Sequence, residues 1–199
     1  MALANRDKPE DGSPPPGAKP KDWTLLMLRI ASFLATASAT IVMALNKETK
    51  TLVVATIGSN PVTATLTAKF QYDPAFVFFV VANGIASLHN LLMIVVDLFR
   101  HKFNDRGICF VMIPIFDMLI MALAAAGDGA ATFIAELGKN GNSHARWNKI
   151  CDKFGPYCDR GGGALIASFI GLGLLLVITG LSIIKLQTKP KPSNDVSVP

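Results

Sequence analysis

The sequence predicts an all-α membrane protein, a bundle of four transmembrane helices with both termini in the cytoplasm. Apolar residues (AVILMFWYC) make up 51% of the 199-residue chain, charged residues 17%, and the mean hydropathy is +0.42. A soluble domain carries about 25% charged residues. The apolar residues fall into four blocks, each long enough to cross a hydrocarbon core about 30 Å thick as a helix. Backbone groups in lipid must bond internally, so the blocks are predicted to be helices.

The chain divides into two polar tails around a membrane domain at residues 23–186. The tail at 1–22 contains a run of prolines and too little apolar surface to form a core, so it is predicted to be disordered. The tail at 187–199 is polar and also rich in proline. Within the membrane domain the spans are predicted at about residues 25–45, 75–98, 108–134 and 163–186.

The connections between the spans differ in length. Residues 46–74 are predicted to form a long polar loop, 99–107 a short basic loop, and 135–162 a second long loop. Four spans place both tails and the short loop on one side, which holds ten Lys and Arg against eight on the other. Because basic residues near span ends favour the cytoplasmic side, we expect both tails in the cytoplasm.

Two charged residues lie below the expected lipid surface. Arg29 is about six residues into the first span and Asp117 about ten into the third, roughly 9 and 15 Å deep from the same side. A charge at mid-span costs about 2.5–3.5 kcal/mol on insertion scales. An ion pair between Arg29 and Asp117 would neutralise both charges and fix which helix faces meet. Two alternatives stay open: Arg29 reaches the headgroups along the lipid surface, or Asp117 is protonated.

Other polar residues in the spans indicate local contacts. Asp97 precedes Arg100 by three residues, which favours an ion pair on one helix face. Asp128 lies near the outer end of the third span and is expected to meet water or the outer loop. His89, in the second span, is expected to form a hydrogen bond inside the bundle.

Small residues recur at every fourth position in two spans and predict close helix packing. In lipid, small side chains let helix backbones approach, whereas apolar side chains alone give little association energy. The sequence does not separate packing within the bundle from self-association. The positions are Ala31, Ala35 and Ala39 in the first span and Gly163, Ala167 and Gly171 in the fourth.

Two cysteines, Cys151 and Cys158, lie seven residues apart in the second long loop, around a Phe-Gly-Pro sequence. A turn there would bring the thiols together, and a disulfide would then be expected in an oxidising compartment. Closing so short a ring contributes about 2–3 kcal/mol in the chain-entropy model. Two free thiols stay an alternative. A zinc site would need His144 and a fourth ligand, at a spacing that fits no standard pattern.

The sequence carries no motif for enzyme chemistry. A phosphate-binding loop, a nucleophile elbow, an HExxH pair and a dinucleotide fingerprint are all absent. We therefore predict no enzyme activity, cofactor or metal. Basic residues form no patch with aromatic residues, so no nucleic-acid partner is predicted. A small-solute channel or transporter is the alternative function, although it would need several polar groups converging at the midplane.

The whole four-span layout resembles the Casparian strip membrane domain protein-like (CASP-like) family of plants, and is most similar to its subgroup 1. The resemblance covers about residues 22–186 and leaves the tails unmatched. It rests on Leu28-Arg29-Ile30-Ala31, Phe116-Asp117-Met118-Leu119, Ala130-Ala131, Gly138-Lys139-Asn140-Gly141-Asn142, Trp147, Cys151 and Cys158.

The resemblance implies a non-enzymatic, multi-pass plasma-membrane protein that contacts membrane lipids and forms homo- and hetero-oligomers with other CASP-like proteins. Founding members of the family assemble an immobile scaffold in the root endodermis and direct local lignification by recruiting wall enzymes. The resemblance also implies that Arg29 and Asp117 are the family's intramembrane pair, and that Cys151 and Cys158 are its outer-loop cysteines.

One feature of the first long loop departs from the founding members. Their loop has an aromatic-rich signature after a Glu-Thr start, whereas Glu48-Thr49 here leads into residues 52–61, which contain no aromatic residue. We therefore expect a scaffold that forms membrane domains in other cells, rather than one targeted to the Casparian strip.

Overall fold

The computed structural model describes residues 23–99 and 107–188. The tail at 1–22, nearly all of the short loop and the C-terminal tail from residue 189 lie outside the described residues. Four helices form the membrane domain, and each is long and apolar enough to cross a membrane, which confirms the four-span prediction. They are α1 (Trp23–Ala44), α2 (Pro74–Phe99), α3 (Gly107–Asn140) and α4 (Gly155–Gln187).

The helices pack in a ring in chain order, and α4 closes the ring against α1. The buried positions hold mainly small or polar side chains, such as Ala82, Ala86 and Ala124. Large apolar side chains such as Leu34, Leu88 and Ile166 lie on the outside. This distribution is typical of helices in lipid, where small residues let backbones approach and large ones face the acyl chains.

Helices α1 and α4 approach most closely at Gly171. A Cβ atom built there would lie 2.7 Å from Thr36 Cγ2, so only glycine fits without movement. The predicted stripes of small residues contribute unevenly, because a strict four-residue repeat drifts about 40° around a helix at each step. Ala39 and Gly171 are buried, Ala35 and Ala167 are half-buried, and Ala31 and Gly163 are exposed.

The first long connection is a β-hairpin rather than the expected polar loop. Strand β1 (Lys47–Ile57) pairs antiparallel with β2 (Asn60–Lys69), with a register irregularity between Val53 and Ala55. Threonine, valine and isoleucine are abundant in both strands and favour extended backbone. The two-residue turn begins at Gly58, whose φ of +64° suits glycine.

The second long connection is shorter than predicted, because α3 and α4 both extend into it. Helix α3 continues past residue 134 to Asn140 and ends at Gly141, whose φ of +67° is typical of a glycine that terminates a helix. Helix α4 begins at Gly155, with Pro156 in its first turn, where a missing N–H costs nothing. The hairpin and this connection lie at the same end of the bundle, called the loop end below.

Candidate functional site

The structure brings Arg29 and Asp117 together inside the bundle. Arg29 Nη1 donates to Asp117 Oδ1 over 3.1 Å, and Nη2 donates to Oδ2 over 2.7 Å. Arg29 is 3% exposed and Asp117 is fully buried. Parallel bonds from one guanidinium to one carboxylate fix orientation as well as charge. Because α1 and α3 lie across the ring from each other, the pair braces the centre of the bundle.

His89 on α2 is a third member of this cluster, and Asp117 is the partner of the hydrogen bond expected for it inside the bundle. Its Nε2 lies 2.7 Å from Asp117 Oδ1. A signal was available in the chain. His89 lies before the end of α2, at Phe99, and Asp117 lies after the start of α3, at Gly107. The number of residues between each side chain and its helix end is the same. Antiparallel helices joined by a short connection place such residues at equal depth.

Asp97 also faces this cluster. Its Oδ2 lies 4.0 Å from Arg29 Nε, so the arginine is flanked by carboxylates from α2 and α3. The predicted partner of Asp97, Arg100, lies outside the described residues. The local helix-face pair therefore stays a prediction, while the contact with Arg29 ties α2 to α1.

A second polar layer, next to this cluster, joins three helices. Asn90 on α2 donates to Ser32 Oγ on α1 over 3.2 Å, and Ser32 Oγ donates to the carbonyl of Gly171 on α4 over 3.4 Å. All three residues are buried. Hydrogen bonds between helices in lipid contribute about 0.6 kcal/mol each on average, so the layer mainly sets the rotation of the helices.

A third polar layer contains Asp128, whose position near the end of the third span predicts contact with water or the outer loop. That expectation is wrong, because Asp128 is fully buried between α2 and α4. Ser168 Oγ lies 2.6 Å from Asp128 Oδ1 and 2.7 Å from Asn83 Oδ1, and Asn83 Nδ2 donates to Asp128 Oδ1 over 3.3 Å. The helix extension beyond residue 134 carries Asp128 away from the loop end.

The hydrogen-bond count in this layer indicates the charge state of Asp128. The Ser168 hydroxyl has one proton but two acceptors within reach. A proton on Asp128 completes the ring, since Asp128 then donates to Ser168 while Ser168 donates to Asn83. A neutral acid also suits Asp128 Oδ2, which is buried without a partner among the described residues.

The loop end is held together by a disulfide and by the hydrogen bonds of the Glu48 carboxylate. Cys151 and Cys158 form a disulfide with a Cα–Cα distance of 5.6 Å. Glu48 of β1 accepts from the backbone N–H of Tyr157 over 2.8 Å and from Lys50 Nζ over 2.9 Å. Lys50 Nζ also donates to the carbonyl of Lys153 over 2.9 Å. The base of the hairpin is thus bound to the start of α4.

These contacts shift the pKa of Glu48. Desolvation opposes its ionisation, but the hydrogen bonds from Lys50 and from the Tyr157 N–H outweigh it and hold the pKa below its usual value. Glu48 is therefore a carboxylate at neutral pH, placed at the N-terminus of α4, where negative charge is favoured.

The described ranges, 23–99 and 107–188, contain no group of three or more His, Cys, Asp or Glu side chains arranged to hold a metal ion. The polar groups of the bundle instead bind one another. The arrangement can therefore fix helix positions and neutralise buried charge.

The chain matches known proteins over nearly its full length. The family model described as Casparian strip membrane protein domain matches residues 18–174. CASP-like protein 1B2 from Populus trichocarpa is 61% identical over 199 residues, covering 100% of both chains. CASP-like protein 1B1 from Ricinus communis is 64% identical over 180 residues, covering 89% of both. CASP-like protein 1B2 from Arabidopsis thaliana is 57% identical over 176 residues, covering 88% of this chain and 89% of the relative.

No solved structure matches the chain. The family match includes Arg29, Asp117 and the disulfide, together with all of the first three helices. The family match and the full-length relatives confirm the resemblance seen in the sequence: the chain belongs to the CASP-like family of four-span plant membrane proteins.

Proposed function

We propose that this protein is a non-enzymatic scaffold of the plasma membrane that self-associates laterally into membrane domains and recruits cell-wall-modifying proteins. Its partners would be copies of itself and other CASP-like proteins. The observation that carries the proposal is the closed polar centre of the bundle. Arg29 and His89 both bind Asp117 inside the ring, which suits a rigid building block.

We place the tails in the cytoplasm and the loop end outside the cell. The disulfide between Cys151 and Cys158 supports this orientation, because disulfides persist in oxidising compartments and are rare in the cytosol. The loop end is then the part of the molecule that faces the cell wall. Recruited wall enzymes would contact the hairpin and the segment that joins α3 to α4.

Fluorescence recovery after photobleaching of a tagged copy in the plasma membrane tests the scaffold directly. We expect slow and incomplete recovery, and a complex larger than one chain in a mild detergent. A single-span protein with the same tag is the control for free diffusion. Rapid, complete recovery together with a monomeric size would overturn the proposal.

A small-solute channel or transporter is the second candidate, because polar layers occupy several depths of the bundle. Purified protein in liposomes separates it from the scaffold. Solute flux that Asp117→Asn abolishes without loss of assembly would favour transport. Absence of flux from liposomes that contain assembled protein would favour the scaffold.

A further inference from the structure

The hairpin is fixed at its base and free at its tip. Glu48 and Lys50 bind the start of α4, and Leu52 packs against the apolar core at the loop end. Beyond these contacts Val53, Val54 and Ile57 are 61%, 55% and 72% exposed. The tip, defined here as residues 53–63, therefore projects from the bundle in a set position.

The tip lacks most of the features that protect a free strand edge. In the described part of the chain, β1 pairs only with β2, so each strand has one open edge of backbone N–H and C=O groups. Natural proteins protect such edges with charged residues, proline or bulges. The tip contains no charged residue, and its protective features are Pro61, beside the turn, and the irregularity between Val53 and Ala55.

We infer that the open edge of β1 in one copy pairs with the open edge of β2 in the next copy, forming an antiparallel sheet between molecules. The inference rests on the proposed self-association and names its surface. Copies in one membrane carry their hairpins on the same side and at the same height. When neighbouring copies are related by a rotation about the membrane normal, the bundles lie on the outside and β1 of one hairpin lies beside β2 of the next, antiparallel as within the hairpin.

The chemistry of the edge favours a second copy over other occupants. Open N–H and C=O groups require a partner with the spacing of a strand, which a lipid surface does not offer. Two identical tips meet without charge repulsion, since the nearest charged residues of the hairpin, Lys50 and Lys69, lie at its base. A contact between different edges leaves a free edge at each end, so it adds further copies until the rotation between them closes a ring.

Cysteine cross-linking tests the pairing of edges. Thr56→Cys marks β1 and Thr63→Cys marks β2, and both positions are exposed. Cys109→Ala in every copy removes the third cysteine of the chain. Mixed in one membrane and oxidised, the two variants should give disulfide-linked dimers, because only strands in direct contact bring the Cα atoms within about 7 Å of each other. Each variant alone should give none. Cross-links within the Thr56→Cys population alone, or none in the mixture, would overturn the inference.

Charge insertion tests whether the edge is needed for assembly. The double variant Val53→Lys/Ile57→Lys should lose the large complex and recover rapidly after photobleaching. Trp147→Lys, an exposed apolar position of the same end of the molecule, is the matched control and should assemble normally. If both variants assemble, the hairpin is not the interface, while the scaffold proposal stands. If the unmodified protein is itself monomeric, both proposals fail.

Discussion

Two buried aspartates on α3 play different parts, although both are fully buried. Asp117 is paired with Arg29, whereas Asp128 is bonded to the neutral side chains of Asn83 and Ser168. Removing one partner of a buried ion pair leaves an uncompensated charge. Replacing a neutral acid by an amide of the same shape keeps most of its hydrogen bonds. The two positions therefore form an internal comparison.

We expect Asp117→Asn to destabilise the protein by about 3–5 kcal/mol, as breaking a buried pair does, and to impair delivery to the cell surface. Asp128→Asn should change the stability and the delivery to the cell surface much less. Thermal unfolding in detergent and surface labelling measure both effects. Equal losses for the two variants would contradict the assignment of a charged Asp117 and a neutral Asp128.

The contact between Arg29 and Asp117 could be predicted from the sequence, because the depth of each residue is counted from the same membrane surface. The same count applied to α2 would have added His89. The ring of Asn83, Asp128 and Ser168 was not accessible in this way. Ser168 lies on α4, and its height depends on the start of that helix at Gly155, earlier than the apolar pattern indicates.

Helix α4 approaches α1 most closely at Gly171, and a neighbouring glycine provides the control. A Cβ on Gly171 would lie 2.7 Å from Thr36 Cγ2, whereas a Cβ on Gly173 would meet nothing within 4 Å. Gly171→Ala should destabilise the bundle by about 1–3 kcal/mol through overpacking. Gly173→Ala should be neutral or slightly stabilising, since alanine is the better helix former. Unfolding in detergent measures both, and an equal response would refute the close approach.

The bond from Glu48 to the start of α4 predicts a pH response of the hairpin base. A lowered pKa means that the folded state favours the carboxylate, so the stabilisation is complete above the ordinary Glu pKa of about 4.3. It is lost as the pH falls through the lower, folded pKa. The amide signal of Tyr157, followed by NMR, should titrate in that acidic range. Glu48→Gln should remove the transition, and a titration that persists in this variant would contradict the assignment.

The number of helices and their membrane-spanning character could be predicted from the sequence. The structure of the two long connections could be predicted less well. Polarity and length alone indicated a loop at 46–74. The β-branched run in β1 and the glycine turn at Gly58 were the signals for the hairpin. The ends of α3 and α4 lie beyond the apolar blocks, because the helices continue into polar sequence until Gly141 and Pro156 define their limits.

The bundle as a whole combines apolar clusters with polar layers that fix the positions of the helices. Lipid tails are as apolar as leucine, so burying leucine between helices gains little. The polar layers supply the specificity: one centres on Arg29, one on Asn90 and one on Asp128. Each layer adds side-chain contacts between helices that are otherwise connected only by the loops at their ends. The bundle therefore has one preferred arrangement, which a repeating assembly requires of its building block.

The double variant Arg29→Met/Asp117→Leu separates the role of the pair in folding from any role of its charge. Apolar residues of similar size in place of a buried ion pair are often neutral or stabilising, whereas either single change removes the partner of a charge buried inside the bundle. The double variant should therefore fold, reach the surface and assemble, while each single variant fails. Native complex size and photobleaching recovery measure the three variants against the unmodified protein. A double variant that folds but does not assemble would show that the charges themselves are needed for self-association, and the brace would then be only part of their role.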